Sequence, residues 1–339
     1  MSTPFIVFIG LIALILIHEL GHFLAAKAFG VRVDEFGIGF PPRLWGKKIG
    51  ETLYSLNLIP FGGFVRIWGE SPLDSSSAAD SRRSFSRQAP WKRALMLSAG
   101  VVFNIIAGWL IVSFIFLIGT GSVISIYSVS DNSPAASVGL KSGDIILGFS
   151  DVAGVIGFID SHRGAEINLS IRRDREELSI PVLPRLSPPE GEGALGISLI
   201  DSGLAPVPFP ANFFSAALYA ASMLSAIFWG LLGIIGGVLG GLPPELLGPI
   251  GVLSVASTVG RGGLVFVLHL IAVISLNLAI FNLLPFPALD GGRLLFLLIE
   301  KIKGSPLPSR FEIYANAAGF ALLVLLMVFV TIRDVTSLL

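Results

Sequence analysis

The chain has 339 residues, of which 53% are hydrophobic and only 14% are charged, and its formal net charge at pH 7 is zero. A soluble protein carries about 25% charged residues, so this composition predicts a protein that crosses a membrane several times. The neutral charge gives no support for nucleic-acid binding, and the lack of cysteine excludes disulfides and thiolate metal sites.

Five apolar stretches approach the roughly 20 residues that a membrane-spanning helix needs. Ten Lys and Arg fall within residues 30–93, whereas the insert 121–210 has eleven acidic residues against six basic ones. Because basic loops tend to stay in the cytoplasm, segment 30–93 is predicted to be cytoplasmic and the insert extracytoplasmic. The apolar stretches are Pro4–Phe29, Ala94–Gly119, Phe213–Leu239, Leu264–Leu284 and Ala315–Ile332.

The first stretch contains the run His18-Glu19-Leu20-Gly21-His22. Two imidazoles four residues apart lie on one face of a helix and can share a metal ion, and Glu19 between them can act as general base on a water that the metal activates. Ionisable groups inside a membrane are costly and usually mark a functional site. The alternative is a chance match in which the histidines are hydrogen-bonded core residues. With four histidines and no cysteine in the chain, the third ligand is expected to be a carboxylate.

The insert after the second stretch has the pattern of a small β-rich domain. Ser133–Ala136 predicts a turn and a helix start, and Val138–Leu147 runs through a glycine turn into a strand. Ile167–Ile171 and Leu178–Val182 alternate like the strands of a hairpin. The order Pro-Ala-Ala, Gly-Leu, Gly-Asp-Ile-Ile resembles a bacterial PDZ domain, which binds extended peptides by strand addition. A rigid spacer or size filter is the alternative role.

The fourth stretch ends in the segment Asn282–Gly292, which reads NLLPFPALDGG. Its two prolines oppose a continuous helix, and irregular backbone at membrane depth is tolerated only inside protein or beside a water-filled cavity. Asp290 is therefore predicted to be a buried carboxylate that supplies the third metal ligand. The alternative places Asp290 at the membrane surface, as the cap of a helix that begins at Gly292.

Taken together, these motifs resemble the site-2 protease family of intramembrane zinc metalloproteases, most closely the bacterial regulated-proteolysis branch with one PDZ domain. The resemblance covers nearly the whole chain and includes Ile59–Arg66, Gly100–Asn104 and Gly248–Gly251. For Asn104 an interhelical hydrogen bond is the alternative to substrate contact. The resemblance implies Zn²⁺ ligands His18, His22 and Asp290, the catalytic base Glu19, and substrate-binding residues Asn282 and Asn104.

The predicted fold is an α-helical polytopic membrane protein. It has a four-span metalloprotease core, a membrane-associated β-hairpin within residues 31–66, and an inserted β-rich PDZ-like domain. Residues 1–120 and 206–339 form the two halves of the core, and residues 121–205 form the PDZ-like domain. The resemblance implies a multi-pass protein of the bacterial cytoplasmic (inner) membrane, in contact with membrane lipid, with an exposed hairpin edge that pairs with the substrate backbone.

The implied function is hydrolysis of peptide bonds in or next to the transmembrane segments of single-span proteins. Such substrates would be anti-sigma factors or signal-peptide remnants, already trimmed by another protease, and the PDZ-like domain would exclude untrimmed ones or bind a peptide. Two alternatives remain open. One is a membrane-anchored zincin that cuts soluble or unfolded proteins, and the other is a non-enzymatic metal carrier or channel, which would not need Glu19.

The parity of the crossings bears on the third stretch. His18 and His22 must meet Asp290 at one membrane depth, and a full crossing by Phe213–Leu239 would carry Asp290 to the wrong face. We therefore expect this stretch to be re-entrant or to lie on the surface. The prediction is four true spans with both termini outside the cytoplasm.

Overall fold

A computed structural model describes residues 3–70, 81–119, 123–173, 176–189, 191–201, 206–239 and 264–338. The chain divides into two compact units, the first made of Met1–Val112 with Ala216–Leu339 and the second of Ser113–Ser215. The motif Gly248–Gly251 lies outside the described residues.

Helices dominate the first unit and strands the second. The helices are α1 (Thr3–Ala28), α2 (Pro90–Ile118), α3 (Pro134–Ser137), α4 (Val152–Ser161), α5 (Ala211–Leu239), α6 (Leu264–Leu283), α7 (Asp290–Lys303) and α8 (Ser309–Leu338). The strands are β1 (Val33–Ile49), β2 (Thr52–Ile67), β3 (Ile124–Val129), β4 (Ile145–Ile146), β5 (Ile167–Arg173), β6 (Glu176–Val182) and β7 (Ile197–Asp201).

Among the described residues, five helices are long and apolar enough to cross a membrane, and they coincide with the five apolar stretches of the sequence. In α5 only 11% of the most apolar window is buried, against 44% in α2. The third stretch forms one continuous helix, Ala211–Leu239. That this helix does not cross the membrane stays a prediction. The glycines and prolines at 240–244 lie outside the described residues. The five apolar segments are Phe5–Ala28, Pro90–Ile118, Ala211–Ile234, Leu264–Leu283 and Ser309–Thr336.

Strands β1 and β2 form the hairpin that follows α1. The first part of β1, Glu35–Ile38, has β2 on both sides, with Leu53–Leu56 on one side and Gly63–Arg66 on the other. Within the described part of the chain, no further strand pairs with Gly63–Arg66. This segment is therefore an edge that can accept another strand; we call it the edge strand.

The tip of the β1–β2 turn is tied to its surroundings through Glu51. Arg83 and Lys27 both donate hydrogen bonds of 2.7 Å to its carboxylate, and these bonds lower the pKa of Glu51 to about 2. Glu51 therefore stays charged at neutral pH and links the hairpin to the end of α1 and to the segment before α2.

The second unit contains a five-stranded sheet with the order β6-β5-β4-β3-β7. Strands β5 and β6 pair as the predicted hairpin, from Ile167 opposite Val182 to Arg173 opposite Glu176. Arg173 donates hydrogen bonds of 2.7 and 2.6 Å to the buried carboxylate of Asp144. The apolar face of α4 packs on this sheet through Val155 and Ile159.

The helical conformation is interrupted between α6 and α7, as the prolines predict. A Cβ atom at Gly291 would collide with the carbonyl oxygen of Leu283, and one at Gly292 with that of Phe286. Only glycine fits at both positions, because the connecting turn folds back onto the start of α7. Helix α7 begins at Asp290 itself, with Leu289 as the N-cap, so Asp290 is not the cap of a helix that begins at Gly292.

Candidate metal centre

Helices α1 and α7 bring His18, His22 and Asp290 together. The Nε2 atoms of the two histidines are 3.2 Å apart. Oδ2 of Asp290 lies 3.0 Å from Nε2 of His18 and 3.2 Å from Nε2 of His22. Both histidines are only 8% exposed. Three potential ligand atoms thus converge on one point in a buried environment.

The hydrogen bonds around His22 show which of its nitrogens faces that point with a lone pair. Nδ1 of His22 lies 2.8 Å from the backbone carbonyl oxygen of Met96, which can only accept. Nδ1 therefore carries the proton of the neutral ring, and Nε2 has a free lone pair. Oδ2 of Asp290 is also buried, and it has no hydrogen-bond partner among the described residues. With the rings neutral, these lone pairs face one another and form a site that can hold a cation.

The separations are compatible with a zinc ion. Zn–N and Zn–O bonds of about 2.0–2.1 Å in a tetrahedron place neighbouring ligand atoms about 3.3 Å apart. The three measured separations are 3.0, 3.2 and 3.2 Å. Two imidazoles and one carboxylate are also a donor set that zinc accepts in catalytic sites, where three protein ligands are usual.

Helix α2 supports the two histidines from the other side. The carboxamide nitrogen of Asn104 lies 3.3 Å from Nδ1 of His18, while its carboxamide oxygen is buried and has no hydrogen-bond partner in the part of the chain that the structure describes. Turning the amide by 180° resolves both observations, because the oxygen then accepts the Nδ1 proton of His18. The hydroxyl of Ser275 on α6 donates to the backbone carbonyl of Asn104 at 2.8 Å. Asn104 is fully buried against a candidate ligand and does not line the cavity of about 230 Å³ beside the ligands, and its role in substrate binding stays a prediction.

Glu19 faces a cavity of about 230 Å³ beside the three candidate ligands. Phe64, Val65 and Ile67 of β2 also line this cavity. A Cβ atom at Gly63 would lie 3.3 Å from Cγ of Glu19. The edge strand therefore passes directly over the candidate base, and a peptide paired with it would lie close to the metal centre.

Asn282 occupies the last turn of α6, half-buried and near the turn that leads to Asp290. It does not line the 230 Å³ cavity. Its carboxamide has no hydrogen-bond partner within the described ranges. The group is thus near the metal centre in sequence and available to a ligand, but it is not assembled into the metal centre itself.

Three further residues shape the centre that the sequence motifs did not single out. Asn316 on α8 accepts a hydrogen bond of 3.0 Å from the backbone N–H of Ala288, a non-glycine residue at φ +75°. Arg293 and Glu70 line the same cavity as the ligands. Arg293 follows Asp290 by one helical turn, so its position near the metal centre could have been inferred from the sequence. The position of Glu70 has no comparable local signal.

Comparison with known proteins gives a coherent picture. The family model described as peptidase family M50 matches residues 6–326. A protein of Clostridium perfringens named "Putative zinc metalloprotease" is 35% identical over 332 residues, which cover 95% of each chain. A protein of Nostoc with the same type of name is 32% identical, covering 97% of this chain and 94% of its own. The regulator of sigma-W protease RasP of Bacillus subtilis is 28% identical, covering 98% of each.

Proposed function

Because the chain belongs to peptidase family M50, the site-2 protease family, we propose that it cuts single-span membrane proteins after another protease has trimmed them. The chain is a zinc metalloprotease of the site-2 type and a multi-pass protein of the inner membrane. The observation that carries the proposal is the convergence of His18 and His22, on a helix that is apolar enough to cross a bilayer, with Asp290 at the start of α7 beside Glu19.

The contacts of the site residues support a proposed role for each of them. We assign His18, His22 and Asp290 as the ligands of one zinc ion, with Asn104 holding the ring of His18 in place. These residues would hold a zinc ion, which would supply a Lewis acid to polarise the scissile carbonyl and to lower the pKa of water. Glu19 takes the proton of the attacking water and passes it to the leaving amine.

The edge strand gives the substrate backbone a partner. A peptide bond in an intact helix is shielded by its own turns, and a freed backbone in lipid must find hydrogen bonds elsewhere. Strand addition to Gly63–Arg66 supplies these bonds and lays the peptide across the cavity next to Glu19. The exposed apolar residues of the hairpin, among them Phe40, Leu44 and Trp45, fit the proposed contact with membrane lipid.

The second unit is proposed to act as a PDZ-like filter. Strand β7 forms one edge of the five-stranded sheet, and α4 runs beside this strand. A groove of about 290 Å³ lies between them, lined by Ile156, Ile159 and Leu199 among others. An edge strand next to an apolar helix face fits an extended peptide. Its occupant would be the trimmed end of a single-span substrate, and bulky untrimmed ends would be excluded.

The name of RasP connects that relative to the control of a sigma factor. We propose by analogy that anti-sigma factors are one substrate class of this chain, with signal-peptide remnants as another. We also retain the four-span topology, with α5 packed on the core without crossing, since it brings α1 and α7 to the same depth.

The proposed substrate class can be tested with one purified test protein that has a single span and an epitope at each end. We expect a version with a short extracytoplasmic end to be cleaved, and a version with a folded extracytoplasmic domain to be cleaved at least about tenfold more slowly. Removal of zinc with a chelator should stop both reactions. Equal cleavage of the two versions would contradict the requirement for prior trimming.

Asn282 is expected to act on the substrate, because its carboxamide is half-buried and free of partners in the described structure. Asn282→Ala should leave the zinc content and the amount of folded protein unchanged and lower turnover by about 100- to 1,000-fold, the range seen when a donor to a developing charge is lost. Turnover and zinc content of the purified variant check this. Asn277→Ala is a matched control on the same helix, since the Asn277 side chain bonds the Val273 carbonyl of α6 itself. Loss of folded Asn282→Ala protein would favour a structural role instead.

A further inference from the structure

An ion pair joins the β1–β2 hairpin to the helix that begins with the ligand Asp290. Glu70, three residues beyond the end of β2, pairs with Nη1 of Arg293 on α7. The two residues are 223 positions apart in the sequence. Arg293 lies one helical turn after Asp290, so the pair fixes the hairpin at a point next to the metal centre.

This pair also stands between two cavities. Glu70 and Arg293 line the 230 Å³ cavity of the metal centre, and both also line a second cavity of about 610 Å³. The second cavity contains another ion pair, in which Nη1 of Arg93 lies 2.9 Å from Oε2 of Glu300. Neither Arg93 nor Glu300 lines the metal cavity. Only the first of these two pairs therefore contacts the space where the reaction takes place.

We propose that Glu70 and Arg293 are positioning residues that set the register of the edge strand against the metal centre, and so select which peptide bond is cut. This inference rests on the proposed pairing of the substrate with the edge strand. The residues act through the strand and through α7, without contact to the reacting atoms.

The geometry of a β-strand makes this control sensitive. A strand advances about 3.3 Å per residue, so a slide of the edge strand by that distance brings the neighbouring peptide bond of a paired substrate to the metal. The edge strand ends only a few residues before Glu70, and α7 begins only three residues before Arg293. Because so few residues separate Glu70 from the edge strand and Arg293 from Asp290, the ion pair leaves the edge strand little freedom to slide relative to the metal centre.

The charges at the site add a second reason for the pair. Glu70, Glu19 and Asp290 line the metal cavity together with the single guanidinium of Arg293. Without Glu70, the Arg293 guanidinium could pair with the carboxylates of Glu19 or Asp290, which line the same cavity. Glu70 therefore keeps the guanidinium on the hairpin side, which leaves Glu19 and Asp290 to their roles at the metal.

The experiment maps the cleaved bond by mass spectrometry of both products from a pre-trimmed single-span test protein, and measures zinc by metal analysis. Glu70→Gln and Arg293→Gln should each keep about one zinc per chain and spread cleavage over neighbouring bonds, with kcat/KM at the original bond lowered about tenfold or more. The exchanged pair Glu70→Arg with Arg293→Glu should restore the original bond, because it restores the tie. Arg93→Gln and Glu300→Gln are the matched controls, and they should leave the cleaved bond unchanged.

The outcomes separate this inference from the proposed function. Unchanged cleavage position and rate in both single variants would overturn the register role while leaving the protease intact. Loss of zinc in Arg293→Gln, or failure of the exchanged pair to restore the position in folded protein, would also overturn it. If the unaltered protein cuts no single-span test protein but cuts an unfolded soluble one, the proposed substrate class fails instead.

Discussion

Glu19→Gln is expected to abolish proteolysis while the protein keeps its zinc. The substitution removes the base that takes the proton of the attacking water, and general-base catalysis contributes about 10²- to 10⁴-fold to a rate. The three candidate ligands are untouched, and glutamine has nearly the same shape as glutamate. We expect turnover to fall by at least about 100-fold at a zinc content near one per chain, measured on the same purified preparation.

The matched variant is His22→Ala, one helical turn away on the same face of α1. It should lose both zinc and activity, because it removes a ligand and the anchor to the carbonyl of Met96. The two variants together discriminate between the enzyme and a metal carrier. Proteolysis that survives Glu19→Gln would contradict the assignment of Glu19 as the base.

The metal centre could be largely anticipated from the sequence because its determinants are local. The spacing of His18 and His22 places both on one helix face, and the prolines and glycines around Asp290 signal a break in the next apolar stretch. These signals need no knowledge of how the helices pack. Their roles as ligands remain predictions, which the converging lone pairs support.

Pairings between segments that are distant in the chain could not be predicted from the sequence. The family resemblance predicts the hairpin within residues 31–66, but it does not state that Glu35–Ile38 lies between two parts of β2, or which segment is left as the edge. The tie between Glu70 and Arg293 depends on the packing of two elements that are distant in the chain. Asn104 is a related case, since its motif suggested substrate contact or an interhelical bond, and only the packing shows it buried against His18.

Glycine at position 100 has a role that the packing of α2 against α1 explains. A Cβ atom at Gly100 would lie 2.7 Å from Cε1 and Nε2 of His18 and would collide with Nε2 of His22. These are the atoms and rings that form the metal centre. On the facing helix, a Cβ atom at Gly21 would lie 2.5 Å from the carbonyl oxygen of Ala99. The two helices therefore approach so closely that no side chain fits between them at this depth.

Gly100→Ala is accordingly expected to lose zinc and proteolysis together, although it adds a single methyl group. The imidazoles cannot yield to the methyl without breaking the bond of His22 to Met96 or the contact of His18 with Asn104. Loss of a group that holds a metal ligand in place typically weakens metal binding about 10- to 100-fold, and a methyl group pressed onto the ligand atoms should exceed that range. Zinc affinity, measured by competition with a chelator, and cleavage of the pre-trimmed test protein check the prediction.

Gly108→Ala on the same helix is the matched control for that result. A Cβ atom there would lie 2.8 Å from Cδ2 of Leu276, the flexible end of a side chain on α6. Leu276 is fully buried but is not part of the metal centre, so we expect a loss of stability with normal zinc affinity and normal cleavage. The difference between the two variants isolates the metal centre from helix packing in general, because both add one methyl group to the buried side of α2. Normal zinc affinity in Gly100→Ala would show that the space between α1 and α2 is wider than the structure indicates, and the assignment of the ligand atoms would have to be revised.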